Sequence, residues 1–424
     1  MFICSILAVN GPSSYTITYV VAIILCILVG TLIGVRVYVV KIQKHEKENG
    51  DNPESTPLNE KRTEFASLHD FLSGQPDKIN THDDLKSQVQ HLPYNATREI
   101  HKNMFEVGDE IGSGTFGKVE IGTLTGLYHA NSKTTIAIKS INGPVCKDEI
   151  ECLFGEIKIM SHVKPHLNLV SMVGCCTSEL EEHGQLWLLL ELCQYGDLKQ
   201  YLVENKSMIL SGNESDPINN RCLIKWAYDI ANGMQYLAEN RIMHGDLAAR
   251  NILMDEDPLQ SGCPVAKVAD FGLSKRFYDN VKYEKKSRPV AWKWMAFEYL
   301  TRNVFTLTSD VWSFEVLLWE IFSFGKNPYG HQDYDEILKK LKNDYRLPCP
   351  DEVKNITSWS PEDLFNKLSD VCFVADPLAR ASFSQVLEII RKELSSDEII
   401  RYNEMKNMYC VHVDVAYTRR KSLC

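Results

Sequence analysis

Between Phe105 and Leu394 the spacing of apolar residues changes character once, and that change limits the fold more than any other feature of the chain. The first part is dominated by strand-length runs: "DEIGSGTFGKVEIG", "TTIAIKSI" and "QLWLLLEL". The second part is dominated by helical spacing. In "RCLIKWAYDIANGMQYLAEN", Leu223, Ala227, Ile230, Met234 and Leu237 share one face, and "SDVWSFEVLLWEIFSFG" is apolar almost all round, like a helix enclosed by a core. That second run is too short, and too interrupted by Glu315 and Glu320, to cross a membrane. Strands first and helices second predict a bilobal α+β unit. "VENKSMILSGNESDPINN" (Val203 to Asn220) reads as a polar surface insertion, and there is no internal repeat.

A chain of 424 residues, 44% apolar and 24% charged, can form two or more packed units and is too apolar for wholesale disorder. A formal charge of −10 argues against general nucleic-acid binding, so no nucleic-acid partner is expected. Thirteen cysteines without a CxxC pair give neither a zinc site nor a disulfide framework, which favours reduced thiols in a cytosolic domain.

The N-terminus has its own signal. No charged side chain precedes Arg36, and Tyr15–Val35 is mostly apolar over the length that spans a bilayer as a helix. A cleaved signal peptide would need a basic start and a shorter apolar stretch. Arg36, Lys41, Lys44 and Lys47 follow the run, so a single span with the N-terminus outside is expected. The layout is then a short extracellular segment (1–14), a transmembrane helix (15–35), a polar juxtamembrane linker (36–104), the packed unit (105–394) and a C-terminal tail (395–424). The tail holds Tyr402, Tyr409 and Tyr417 and carries no strong structural signal. Gly30 and Gly34 form a GxxxG pair that suits close approach of two spans, hence a homodimer. Sequons at Asn95, Asn205, Asn213 and Asn355 fall in the part placed in the cytosol, where they would stay bare.

Chemistry enters with "IGSGTFGKV": Ile111, Gly112, Ser113, Gly114, Thr115, Phe116, Gly117, Lys118 and Val119. A GxGxxG pattern alone is weak, but here an extended pattern continues after it, where a dinucleotide-binding turn would open a helix. Glycines let backbone amides approach phosphate oxygens. In "TTIAIK", Ala137 and Lys139 point to one face of a strand; the small residue leaves room for a flat base and the ammonium can meet phosphates. In "KDEIECLFGEIKIMSHV", Ile150, Leu153, Phe154, Ile157 and Met160 mark a helix face with Glu156 at its margin, able to pair with Lys139.

Further pieces follow in order: "HLNLV", "ELCQYGDL", "HGDLAARN", "DFG", "KWMAFE", "SDVWSF" and Arg380. With those above, they make residues 105–394, about two-thirds of the chain, resemble a protein tyrosine kinase of the receptor type. The resemblance implies a protein-kinase-like fold with a β-rich N-lobe and a helical C-lobe, and ATP and Mg2+ as cofactors. It implies that Lys139, clamped by Glu156, holds the α- and β-phosphates under the loop Ile111–Val119. Asp246 would accept the proton of the substrate hydroxyl, with Arg250 beside it, and Asn251 and Asp270 would bind Mg2+. Glu191 and Cys193 fall where the hinge backbone meets adenine, beside Ala137, with Leu190 at the back. Ala248, where serine/threonine kinases carry lysine, and "WKWMA" (Trp292 to Ala296) resemble the tyrosine type. Implied partners are tyrosine-bearing protein substrates, phosphotyrosine-binding adaptors and, through the span, the plasma membrane.

The chain departs from that pattern at several points. Gly245 stands where the family's His-Arg-Asp has arginine, which receives the phosphate of a modified activation loop. Arginine there does no bond chemistry, so catalysis is the expected outcome; the alternative is a pseudokinase or scaffold that binds nucleotide or partners without efficient transfer. Tyr283, within a basic cluster of Arg276, Lys282, Lys285, Lys286 and Arg288, is a candidate for phosphorylation, as is Tyr278 beside it. Ala291 and Phe297 replace prolines of the substrate platform, while Glu298 remains to pair with Arg380. Glu315 replaces a glycine, and a carboxylate in so apolar a helix must find a partner or face solvent.

Overall fold

The computed structural model describes residues 73–80, 88–114, 117–129, 131–141, 147–213, 216–259, 262–271 and 291–420. Ser67–Cys424 form one compact unit. The apolar run Tyr15–Val35 lies outside the described residues, as do Tyr278, Tyr283 and the basic cluster around them. Among the described residues no helix is long and apolar enough to cross a membrane.

The first half of the unit is a five-stranded antiparallel sheet in the order β1-β2-β3-β5-β4, with strands β1 (Phe105–Gly114), β2 (Gly117–Thr125), β3 (Lys133–Ser140), β4 (Met172–Cys176) and β5 (Trp187–Glu191). Helix α1 (Lys147–His162) packs against it through Ile150, Leu153, Phe154 and Ile157, all buried. The stretch before β1 joins the same core, although its sequence reads as linker. Val89 and Leu92 are 2% exposed, Lys158 Nζ of α1 donates to Val89 O at 3.3 Å, and the Tyr94 ring meets Phe154 edge-on.

The remainder is helical. A four-residue α2 (Leu180–His183) is followed by α3 (Leu198–Ser211), α4 (Arg221–Glu239), the strand pair β6 (Ile252–Asp255) and β7 (Val265–Val268), and then α5 (Phe297–Arg302), α6 (Ser309–Phe322), α7 (Tyr334–Lys342), α8 (Pro361–Cys372), α9 (Phe383–Arg391) and α10 (Ser396–Arg420). Helix α4 buries Leu223, Ala227, Ile230, Met234 and Leu237 completely and packs on α9 and β7. In α6 every residue except Trp319 is buried, so the all-round apolar pattern marks the axis of this lobe. Helix α3 corrects the reading of Val203–Asn220 as an insertion. Asp197 caps it by accepting from Gln200 N at 3.0 Å, and Ile209 carries its buried face well past Val203. The C-terminal segment is also a helix, α10, where the sequence carries no strong signal.

Candidate active site

Strand β3 lies between β2 and β5, with Ala137 opposite Leu190 and Lys139 opposite Leu188. Two residues apart, Ala137 and Lys139 share a face. Lys139 Nζ sits 3.1 and 2.8 Å from the two Glu156 carboxylate oxygens and 2.6 Å from Asp270 Oδ1. Burial pushes the ammonium down, but the Asp270 and Glu156 charges reverse this and hold its pKa above the usual lysine range. Asp270 itself has φ +56°, a left-handed conformation rare for a non-glycine, while the next residue, Phe271, is buried in the core with Met160 and Met172.

The loop from His244 to Asn251 is fixed by its backbone. His244 N and Gly245 N donate to the two Asp310 carboxylate oxygens at 2.7 and 2.9 Å. The His244 ring accepts from Asp246 N at Nδ1 (3.1 Å), so Nε2 carries the proton donated to Ala269 O at 3.0 Å. Gly245 has φ +81°, and a Cβ built there would meet no atom within 4 Å. The side chain at this position therefore has no part in holding the loop, which hangs on Asp310 instead. Nothing in the run "SDVWSF" marks that role of Asp310 in sequence.

Asp246 pairs with the Arg250 guanidinium, which lies 4.6 Å over the Trp294 ring. Trp294 Nε1 donates to Glu320 Oε2 at 2.7 Å, and the same oxygen accepts from Ala249 N at 2.9 Å. Glu320, read from sequence only as an interruption, thus joins the loop to the Trp292–Ala296 platform. Burial pushes its pKa up to about 7, against the opposing pull of those two donors. Asn251 Nδ2 donates to Asp246 O at 2.6 Å, which leaves its side-chain oxygen for another partner. Asn251 and Asp270 offer two oxygen donors, the hard kind that holds Mg2+ together with substrate phosphates. The residues present therefore fit the ion.

The platform is fastened where the sequence suggests. Arg380 grips Glu298 through two 2.8 Å contacts, both side chains fully buried. Ser309 Oγ also donates to Glu298 at 2.7 Å. Burial pushes the Glu298 pKa up, but the Arg380 contacts outweigh it and leave it lowered.

At the nucleotide end, β1 and β2 form the glycine-rich hairpin, whose tip residues Thr115 and Phe116 lie outside the described residues. A Cβ on Gly117 would lie 2.2 Å from Ser140 O, so glycine is what lets the start of β2 lie this close to the end of β3. Ile111 is exposed, and Lys118 Nζ is 2.5 Å from Glu120. Cys193 clusters with Val170 and Ala269, and Leu190 and Leu253 pack against that apolar group just after β5. Val170, Leu253 and Ala269 are ordinary apolar residues that no spacing singles out. Glu191 behaves unexpectedly: its carboxylate accepts from Ser171 N at 2.7 Å and from Lys267 Nζ at 3.1 Å.

A family model for protein tyrosine and serine/threonine kinases matches residues 105–390. The chain belongs to the protein kinase family. Its relatives are growth factor receptors. It is 32% identical over 359 residues to vascular endothelial growth factor receptor 3 of Danio rerio, covering 74% of this chain and 25% of that receptor. It is 34% identical over 309 residues to fibroblast growth factor receptor 1 of Pleurodeles waltl, covering 70% and 35%. Platelet-derived growth factor receptor beta of Takifugu rubripes is 30% identical, covering 71% and 38%. The receptor-type resemblance carried by the motifs thus holds, and the chain spans well under half the length of these relatives. Protein kinase domains as a family bind ATP with Mg2+, and the sheet-rich and helical halves are the two lobes of that fold.

Proposed function

We propose that this kinase domain is catalytically competent and transfers the γ-phosphoryl group of ATP to tyrosine hydroxyls of proteins, from a membrane anchor formed by Tyr15–Val35. The observation that carries the reading is the meeting of Lys139, Glu156 and Asp270 within hydrogen-bond distance, three residues brought together from β3, α1 and the start of the activation segment. A charged Lys139, oriented by Glu156, presents its ammonium to the α- and β-phosphates. The hinge backbone at Glu191 and Cys193 receives adenine against Ala137 and Leu190, and the loop Ile111–Val119 covers the phosphates. Mg2+, held by Asn251 and Asp270, would supply charge neutralisation on the phosphates. Asp246, kept in place by Arg250 and by Asn251 on its carbonyl, orients the attacking hydroxyl and takes its proton. Glycine at 245 spares this arrangement because Asp310 holds the loop through main-chain amides.

A second reading, a pseudokinase that signals by docking, is favoured by Gly245 itself, which cannot receive an activation-loop phosphate. The purified full-length chain with labelled ATP, Mg2+ and a poly(Glu,Tyr) acceptor separates the two. Phosphotyrosine that disappears in Asp246→Asn is the expected outcome. Nucleotide binding without transfer, in protein shown to be folded, would contradict it.

A further inference from the structure

Helix α10 begins with a reciprocal cap. Glu398 N donates to Ser395 Oγ, and Ser395 N to Glu398 Oε2 at 2.8 Å. Glu398 also receives Arg221 of α4, and Arg401 lies 3.7 Å from Asp257. From that base the helix runs to the hinge. Tyr402, one turn on, is buried; its ring meets Tyr228 of α4 edge-on at 5.0 Å and its hydroxyl donates to Asn168 Oδ1 at 2.7 Å. Two turns later on the same face, the Tyr409 hydroxyl donates to Glu191 at 3.1 Å and lies 2.6 Å from Ser171 Oγ. The Lys267 ammonium sits 4.1 Å over the Tyr409 ring while bonding both Glu191 oxygens. One helix thus ties α4, the segment between α1 and β4, the hinge and β7 together.

We propose that α10 is an intramolecular strap on the interlobe hinge and that Tyr409 is its release site, a tyrosine whose phosphorylation is incompatible with docking. Ser171 Oγ and the Glu191 carboxylate both stand at hydrogen-bond distance from the Tyr409 oxygen, which leaves no room for a phosphorus and three further oxygens. The added group would bring nearly two negative charges against Glu191, and the nearby cation, Lys267, is already engaged by that carboxylate. Modification therefore occurs when α10 transiently undocks, as peripheral elements do, and then prevents its return. The phenolic oxygen attacks the γ-phosphorus of ATP, the bond to the β-phosphate oxygen breaks, ADP leaves and the phenolic proton passes to the catalytic carboxylate of the modifying tyrosine kinase. The strap itself does not rest on the activity proposed above. Docking coexists with the Lys139–Glu156 pair, so the strap restrains lobe opening without dismantling the site, and its release speeds nucleotide exchange.

Hydrogen exchange of the full-length chain, followed in peptides covering Trp187–Cys193 and Ser396–Tyr409, tests this, together with the release rate of a fluorescent ADP analogue. Tyr409→Glu is expected to speed exchange in both segments by about tenfold or more and to accelerate ADP release. Tyr409→Phe keeps the ring over Lys267 but loses both hydroxyl contacts, and about a threefold change is expected. Should Tyr409→Glu fail to fold, Tyr409→Phe carries the test. Unchanged protection in both variants, or loss of protection in α10 with the hinge unaffected, would overturn the proposal. Hydrogen exchange needs no phosphoryl transfer, so a chain without kinase activity would still support or sink the strap.

Discussion

Two lysines, Lys267 buried and Lys139 largely enclosed, make an instructive pair. Lys139 and Lys267 each sit in low exposure, each bonds both oxygens of one glutamate, and each has its pKa held up against burial by facing negative charge. Lys139 adds Asp270 and is the residue proposed to hold phosphates; Lys267 adds the Tyr409 ring and bonds Glu191 at the end of β5. The same electrostatic device thus stands at the proposed active site in one place and under the C-terminal helix in the other. What tells them apart is the rest of the shell: Asp270 bonds Lys139 at 2.6 Å, whereas Lys267 has its second carboxylate, Asp255, only at 3.9 Å and carries the Tyr409 ring from the tail instead.

The sharpest way to break the comparison is to remove each cation. Lys139→Met is expected to lower kcat/KM by about 10³-fold, near 4 kcal/mol of transition-state stabilisation, whereas Lys267→Met should leave turnover within about threefold and lower the melting temperature. Steady-state kinetics beside thermal unfolding would show whether the two roles separate. Arg380 extends the comparison to a cation with a purely structural task. Arg380→Ala leaves Glu298 buried without its cation, with only the Ser309 hydroxyl on it, and a loss of about 3–4 kcal/mol in denaturant unfolding is expected.

Glu315 is the converse, a buried charge-bearing group without a cation. Its oxygens meet no nitrogen or oxygen donor, and burial, with Asp370 adding to it and the Cys372 thiol offsetting part, pushes its pKa well above the carboxylate range. Because the folded-state pKa is raised, its contribution is most favourable below the unfolded value of about 4.3 and is lost as pH rises toward the folded one. Glu315→Leu should therefore stabilise the domain by about 1–3 kcal/mol at pH 7 and by much less at pH 4, readable from melting curves at both. Gly245 gives the smallest effect. With φ +81° and open space around it, Gly245→Ala is expected to cost about 1–2 kcal/mol of stability through backbone strain while leaving turnover within about twofold.

The meeting of Lys139, Glu156 and Asp270 is legible in sequence because each stands at a fixed place in a strand, helix or turn of the family pattern. Lys139, Glu156, Asp246, Asn251 and Asp270 stand in short motifs, and the change from strand to helical rhythm reveals the two halves of the fold. The second cluster is not legible. Ser171, Glu191, Lys267 and Tyr409 are scattered over four segments, and their pairing depends on where α10 lands. The helix itself hides because its polar residues cap and pair rather than form an apolar stripe, as Ser395, Glu398 and Arg401 do. Asp310 and Glu320 are visible as residues, but what they bond is not, since both hold main-chain amides more than 60 residues away and Glu320 adds the distant Trp294 indole.

The most direct measurement is the thermal shift produced by ATP with Mg2+ in the wild-type chain, Lys139→Met and Lys267→Met. At a hundredfold excess over Kd, a rise of about 5 °C is expected in the wild type and in Lys267→Met, and none in Lys139→Met. A wild-type chain that does not respond, or a response that survives loss of Lys139, would contradict the assignment of the β3 lysine as the one that holds nucleotide.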